Sequence, residues 1–171
     1  MKVPQSDLDN LPDNALSNYV RVAVHHTACV SQRQSAEEIA TEEKAAGYTT
    51  IPYNFVILGD GTVEVGRPIG KLPAATGGMN SSTLAICVEG DFQSDDSHYN
   101  GEVPTQKQIE QIAWIVNNWL KPKCLNLKYL IGHRDASVIE HDPSNATACP
   151  GNLLYARLHD VRLLCGLKEE V

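Results

Sequence analysis

The sequence predicts an α/β fold, with a mixed central β-sheet flanked by helices in a single domain. Short apolar runs typical of buried strands alternate with longer stretches in which apolar residues recur at helical spacing. The chain has 171 residues, of which 42% are hydrophobic, enough to build one core. We therefore expect one domain over residues 1–171, with its core at about 19–166 and an N-terminal extension at 1–18.

The first half of the chain predicts a strand, a helix and a hairpin. The strand covers Tyr19–His26 and ends at a pair of histidines. Ser35 and Glu38 form the pattern of a capping box, which predicts a helix that runs to about Ala46 and stops at the following glycine. The stretch YNFVILGDGTVEVGRP, residues 53–68, predicts a β-hairpin because its central Asp-Gly supplies the positive φ angles that tight turns need.

The second half continues the alternation of strands and helices. Its elements are a Gly- and Pro-rich surface loop over 68–82, a strand over Leu84–Val88, a helix over Thr105–Leu120, a short strand over Lys128–Ile131 and an amphipathic helix after Gly151. Pro122 is expected to end the longer helix, since proline cannot continue the helical hydrogen-bond ladder. Interleaved strands and helices make a mixed central sheet the economical arrangement.

Charge and hydropathy exclude several classes of protein. The 14 basic and 21 acidic residues give a formal charge of -7, which argues against a nucleic-acid binder that tracks phosphates with Lys and Arg. No apolar stretch approaches the ~20 residues needed to span a bilayer, so no membrane partner is expected. The first 19 residues are polar and acidic and lack the apolar core of a signal peptide. We expect a cytoplasmic location until the protein is released or exported.

Cysteine usage gives a further expectation about the compartment. The five cysteines are an odd number, and none of them forms a CxxC pair. This favours a reducing compartment, while a disulfide between two of them stays open.

Three residues at or beyond predicted strand ends have the chemistry of metal ligands. They are His25, His133 and Cys149. Catalytic zinc usually takes three ligands from His, Cys or carboxylate side chains and keeps a fourth position for water. The spacing carries little information by itself, because no two of the three lie at the i, i+4 separation of a helical zinc motif. On spacing alone, histidines with a structural role remain the alternative.

Five motifs between about His25 and Leu154 indicate a family. They are VAVHHTA, PYNFVILGDGTVEVGRP, LAICVEGDF, IGHRDAS and ACPGNLL, in this order. With them the chain resembles the zinc amidases that include N-acetylmuramoyl-L-alanine amidases, phage amidase-type lysozymes and peptidoglycan recognition proteins. The resemblance implies zinc-dependent hydrolysis of the amide bond between N-acetylmuramic acid and L-alanine in peptidoglycan.

The resemblance also implies which residues hold the metal. The ligands of Zn²⁺ would be His25, rather than its neighbour His26, together with His133 and Cys149. His26 would then support or pack against the site. Arg134 and Asp135 would orient the His133 ring, since a metal-bound imidazole usually makes a second contact through its other nitrogen.

Three further residues match catalytic positions of similar proteins. Tyr53 would hydrogen-bond the attacking water or the scissile carbonyl, and Glu89 would act as general base. Thr147 stands where some relatives have Lys, so it would offer a hydroxyl to the developing oxyanion without a positive charge. The loop PAATGGMN departs from the recognition-protein pattern, because Ala75 stands where that pattern has a histidine.

Two other functions remain open at the level of sequence. A non-catalytic peptidoglycan-binding module is the first, and a retained Cys149 argues against it. A cysteine hydrolase using Cys149 with His133 is the second, and it leaves His25 without a role. The expected partner is peptidoglycan or a muropeptide, and a monomer is favoured. An endolysin is preferred over a recycling amidase or an exported effector.

Overall fold

The computed structural model describes residues 16–29, 34–94 and 101–171. It contains a five-stranded sheet with strand order β3-β2-β4-β1-β5. The strands are β1 (Arg21–His26), β2 (Phe55–Ile57), β3 (Val63–Val65), β4 (Thr83–Val88) and β5 (Tyr129–Gly132). β1 is parallel to β4 and β5, β2 is parallel to β4, and β3 is antiparallel to β2. The mixed sheet is confirmed.

The register of the parallel strands decides which residues meet at the sheet's carboxyl edge. β1 and β4 pair with His25 opposite Cys87, and β1 and β5 pair with Val24 opposite Gly132. Because parallel strands end at the same edge, residues at the ends of β1 and β5 come together there. His133 follows β5 directly.

The described residues form four α-helices. They are α1 (Ala36–Ala45), α2 (Gln106–Ile115), α3 (Ala136–Ile139) and α4 (Asn152–Cys165). Ser35 caps α1 and Thr105 caps α2, each through a complete capping box. The predicted helix over Thr105–Leu120 is present, but its last turn, Val116–Leu120, is a π-helix. The helix ends just before Pro122, as expected.

The predicted hairpin forms around a turn that differs slightly from the expectation. Phe55–Ile57 and Val63–Val65 pair, and the amide of Gly61 donates to the carbonyl of Leu58. Gly61 has φ +87 and is the residue of this turn that needs the left-handed region, whereas Asp60 does not adopt it. The turn therefore resembles a longer hairpin loop that closes on a glycine rather than a two-residue Asp-Gly turn.

Helices cover both faces of the sheet. α2 and α4 pack on one face in the large core cluster, where Ile112 and Leu158 meet strand residues such as Val24 and Ile86. On the other face, the α1 residue Ile39 belongs to a smaller cluster with Val56 and Cys87. Side chains alternate between faces along a strand, so His25 lies on the α1 side of β1.

The predicted extension at 1–18 lies outside the described residues up to position 15, while Leu16 is buried in the main core. Within the described ranges no helix combines the length and the apolar character needed to cross a bilayer. The five cysteines, all in described parts of the chain, are free thiols.

Candidate active site

Three side chains meet at the carboxyl edge of β1 and β5. His25, near the end of β1, His133, directly after β5, and Cys149, in the loop before α4, place their ligand atoms within 4.8 Å of one another. His25 is 1% exposed, while His133 and Cys149 are half-buried. The ligand group is therefore buried at His25 and partly accessible to solvent at His133 and Cys149.

The spacing and chemistry of this group fit a tetrahedral zinc ion. The Sγ atom of Cys149 lies 3.8 Å from Nδ1 of His25, and the His25 and His133 ring centroids are 4.5 Å apart. Zinc bonds of about 2.3 Å to sulfur and about 2.0 Å to nitrogen would place S and N about 3.5 Å apart around a tetrahedral ion. Imidazole and thiolate are both ligand types that zinc takes, and three protein ligands leave a fourth position for water, as in catalytic zinc sites.

The electrostatics of the group favour neutral imidazoles. Burial lowers the pKa of His25 well below its usual value, and the nearby His133 lowers it further. Burial also lowers the pKa of His133. Both rings are therefore uncharged at neutral pH, and each has a nitrogen lone pair available for a metal.

The thiol of Cys149 is protonated in the absence of a cation. Burial raises its pKa to about 12, although the backbone amide of His26 and the charge of Arg134 act in the opposite direction. A cysteine nucleophile needs a depressed pKa, so this environment disfavours the cysteine-hydrolase alternative. A bound metal would replace the thiol proton.

Arg134 joins the turn that carries His133 to the loop that carries Cys149. Its backbone amide donates to the carbonyl of Cys149 at 2.8 Å. Its guanidinium donates to the carbonyl of Ala148 and, at 2.9 Å, to Oδ1 of Asn152. These contacts fix the two ligand-bearing segments relative to each other, and the predicted orienting role of Arg134 towards His133 stays a prediction.

Asp135 fixes the same turn from the other side. One carboxylate oxygen accepts the amide N–H of Gly132 at 2.9 Å, and the other accepts the hydroxyl of Tyr155 at 2.7 Å.

Gly151 permits the close approach of the Cys149 loop to Phe92. It has φ +86, and a side chain at this position would collide with the backbone of Phe92. The geometry of the ligand group is thus held mainly through backbone and turn contacts.

Tyr53 reaches the group from the start of the hairpin. Its ring centroid lies 5.2 Å from that of His25, and its hydroxyl hydrogen-bonds with the Cys87 thiol. Burial, followed by the proximity of Cys87, raises the pKa of the phenol. Tyr53 therefore keeps its proton at neutral pH and can donate a hydrogen bond.

Cys87 is a site residue that sequence reasoning missed. It is fully buried, lies opposite His25 in the β1–β4 register, and contacts the Tyr53 hydroxyl. Within the apolar run LAICV it looks like an ordinary small core residue. The signal that could have found it is its place in the strand next to the histidine strand.

Glu89 is bound to the backbone of two other segments. Its Oε1 accepts the amide of Gln34 at 3.1 Å, and its Oε2 accepts the amide of Gly59 at 2.5 Å. Its own carbonyl accepts from the Gln108 side chain at 2.8 Å. These contacts join the start of α1, the hairpin turn and α2, and the role of general base stays a prediction.

Glu89→Gln should lower stability, and its effect on turnover tests the general-base role. Glutamine replaces one carboxylate oxygen by an amino group, which would face a backbone N–H of Gln34 or Gly59 without an acceptor. A buried donor left unpaired costs about 1–3 kcal/mol, so chemical denaturation should show a loss of that size. If Glu89 is also the general base, turnover should fall in addition by about 10²-fold or more, beyond what the loss of stability explains.

The remaining predicted residues lie beside the group. The Thr147 hydroxyl accepts the backbone amide of Cys149 at 3.2 Å, so it helps to shape the ligand loop. Nδ1 of His26 accepts the amide of Phe92 at 3.4 Å, which agrees with a supporting role. Neither contact tests the oxyanion role predicted for Thr147.

A cavity of about 230 Å³ opens next to Tyr53. Its lining includes Tyr48, Arg67 and Ala75. Ala75, which replaces the histidine of the recognition-protein pattern, thus borders the cavity next to Tyr53. The Arg67 Nε atom is buried and has no hydrogen-bond partner among the described residues.

Comparison with known proteins assigns the family. The family model described as N-acetylmuramoyl-L-alanine amidase matches residues 17–152, which is well over half of the chain and includes the whole ligand group. The chain therefore belongs to the N-acetylmuramoyl-L-alanine amidase family.

Individual relatives include recognition proteins and a phage enzyme. Peptidoglycan-recognition protein SC2 of Drosophila melanogaster is 28% identical over 152 residues, covering 82% of this chain and 73% of that protein. The endolysin of Klebsiella phage KP32 is 26% identical over 113 residues, covering 66% of this chain and 67% of the endolysin.

Solved structures show the same fold. The N-acetylmuramoyl-L-alanine amidase LysC from Clostridium intestinale superposes with a TM-score of 0.71 at 25% identity, covering 92% of this chain and 91% of LysC. The complex of tracheal cytotoxin with recognition proteins LCa and LCx gives a TM-score of 0.62 at 27% identity, covering 86% of this chain and 81% of the matched chain.

Proposed function

We propose that this protein is a zinc-dependent N-acetylmuramoyl-L-alanine amidase that cleaves the bond between N-acetylmuramic acid and L-alanine of peptidoglycan. The observation that carries the proposal is the convergence of His25, His133 and Cys149, with ligand atoms within 4.8 Å at an accessible edge of the sheet. Family membership supports the same reaction.

The residues of the site would have different roles in amide hydrolysis. His25, His133 and Cys149 would hold Zn²⁺, with neutral rings and a thiol that gives up its proton on binding. Zinc bound in this way would supply a Lewis acid and would lower the pKa of a water molecule to about 7. Tyr53, as a neutral phenol, would donate a hydrogen bond to the carbonyl oxygen as negative charge develops there.

Thr147 would contribute through its hydroxyl proton. Its oxygen already accepts the Cys149 amide, so the hydroxyl hydrogen remains available to a nearby oxyanion. A neutral donor of this kind stabilises less charge than a lysine would at the same position. Thr147 would therefore stabilise the oxyanion less than the lysine that some relatives have at this position.

A peptidoglycan-binding module without activity is the competing function. Recognition proteins are among the relatives, and the recognition-protein complex contains tracheal cytotoxin. Binding alone gives no reason for a complete donor set next to a neutral phenol, which favours hydrolysis. The similarity to the Klebsiella phage endolysin and to a clostridial endolysin-type amidase supports a lytic role on the cell wall.

Chelation tests the metal dependence of the proposed reaction. We expect a strong chelator to reduce hydrolysis of purified peptidoglycan by at least ~10²-fold, since the water is no longer activated. Adding one equivalent of zinc to the dialysed protein should restore the rate. Unchanged hydrolysis by protein shown to be metal-free would contradict the proposal.

A further inference from the structure

A buried threonine outside the predicted site touches the most deeply buried of the three candidate ligands. Thr76 is 1% exposed, and its Oγ1 lies 3.4 Å from Nε2 of His25. We propose that Thr76 is a positioning residue, which holds the His25 ring in the tautomer with a free Nδ1 and thereby strengthens zinc binding. This inference rests on the proposed zinc site.

The two nitrogens of His25 face different partners. Nδ1 faces the Cys149 sulfur at 3.8 Å, so it is the nitrogen directed into the ligand group. A nitrogen that binds a metal must carry no proton, and a neutral imidazole carries its single proton on the other nitrogen. The proton of His25 therefore belongs on Nε2, where the Thr76 oxygen accepts it.

Thr76 is itself held in place by its loop. The side-chain oxygen of Asn80 accepts the amide N–H of Thr76 at 2.9 Å, and the amide of Met79 donates to the Thr76 carbonyl at 3.1 Å. Met79 is 1% exposed and packs in a cluster with Ala23 of β1 and Ile131 of β5. The loop is thus anchored to the two strands that lead to the histidines, and the hydroxyl keeps a fixed position relative to His25.

The burial of His25 makes its hydrogen bond with Thr76 important for zinc binding. His25 is 1% exposed, so solvent does not offer Nε2–H a ready replacement when the threonine oxygen is removed. Without that acceptor, the tautomer with the proton on Nε2 loses its advantage, and Nδ1 becomes protonated in part of the molecules. Contacts of this kind behind a metal-binding histidine typically change metal affinity by about 10–100-fold.

The test uses two substitutions at one position. Thr76→Val keeps the shape and removes the hydroxyl, whereas Thr76→Ser keeps the hydroxyl. We expect Thr76→Val to bind zinc about 10–100-fold more weakly in a chelator competition assay, and Thr76→Ser to recover most of the wild-type affinity. Long-range ¹H–¹⁵N NMR of the metal-free wild type should show the His25 proton on Nε2, and Thr76→Val should shift the ring towards a mixture of tautomers.

Thr83→Val is a matched control. Thr83 begins β4, is 1% exposed, and its hydroxyl has no hydrogen-bond partner among the described residues. The same chemical change there should leave zinc affinity and the His25 tautomer unaltered. A comparable loss of zinc affinity in Thr83→Val would attribute the effect to general destabilisation and overturn the inference.

The outcomes separate this inference from the proposed function. If the wild type binds zinc through Cys149 but Thr76→Val has the same affinity and tautomer, the role of Thr76 is wrong and the amidase proposal stands. If the wild type binds no zinc, the proposed function fails. The metal-free NMR spectrum then still decides on Thr76, and a wild-type ring protonated on Nδ1 overturns its role even if Thr76→Val does not fold.

Discussion

Replacing Cys149 by serine should abolish both zinc retention and peptidoglycan hydrolysis. The thiolate is one of three proposed ligands, and zinc-site free energies of about 10–16 kcal/mol imply a loss of roughly 10²-fold or more in affinity for each ligand removed. The side chain is half-buried and serine has nearly the same shape, so the fold should stay largely intact. Metal content after dialysis and product release from purified peptidoglycan measure the two effects.

Cys29→Ser is the matched control for this substitution. Cys29 is also half-buried but lies outside the ligand group. It should retain one zinc per chain and wild-type hydrolysis. Full amidase activity in Cys149→Ser would show that Cys149 is not a ligand that the reaction needs.

Tyr53→Phe is the second substitution with a large expected effect, and it should act on turnover rather than binding. The phenol lies 5.2 Å, ring to ring, from His25 and keeps its proton because burial raises its pKa. Removing one donor to a developing oxyanion typically lowers kcat by about 10²–10³-fold. We expect a loss in that range with a nearly unchanged KM, measured on a soluble muropeptide.

A conservative tyrosine substitution away from the site provides the comparison. Tyr129 begins β5 and is partly buried against the cluster that contains Met79, so Tyr129→Phe should keep wild-type kcat. If Tyr53→Phe also keeps wild-type kcat, Tyr53 contributes to packing and to its hydrogen bond with Cys87 rather than to the reaction.

The sheet and its flanking helices could be predicted because local patterns determine them. Apolar runs placed the ends of β1, β4 and β5 within two residues of their positions in the structure, and the capping box at Ser35 located the start of α1. The π-helical end of the helix at Val116–Leu120 was not predictable in this way, since its apolar spacing is nearly that of an α-helix.

The site residues that belong to sequence motifs were predicted. The residues that join the site only through tertiary contacts were missed. His25, His133 and Cys149 lie together as the resemblance implied. Cys87 and Thr76 were missed, because a buried cysteine in an apolar strand and a threonine in a loop acquire a role only through strand register and loop packing. Such contacts depend on the whole fold rather than on neighbouring residues in the sequence.

Mass analysis of the products from purified peptidoglycan sacculi tests the central claim most directly. The zinc-loaded protein should release stem peptides that begin with a free L-alanine amine and leave glycan strands with intact N-acetylmuramic acid. A protein that sediments with the sacculi but releases no such peptides would be a binding module. That result, or cleavage at any other bond, would contradict the proposed amidase activity.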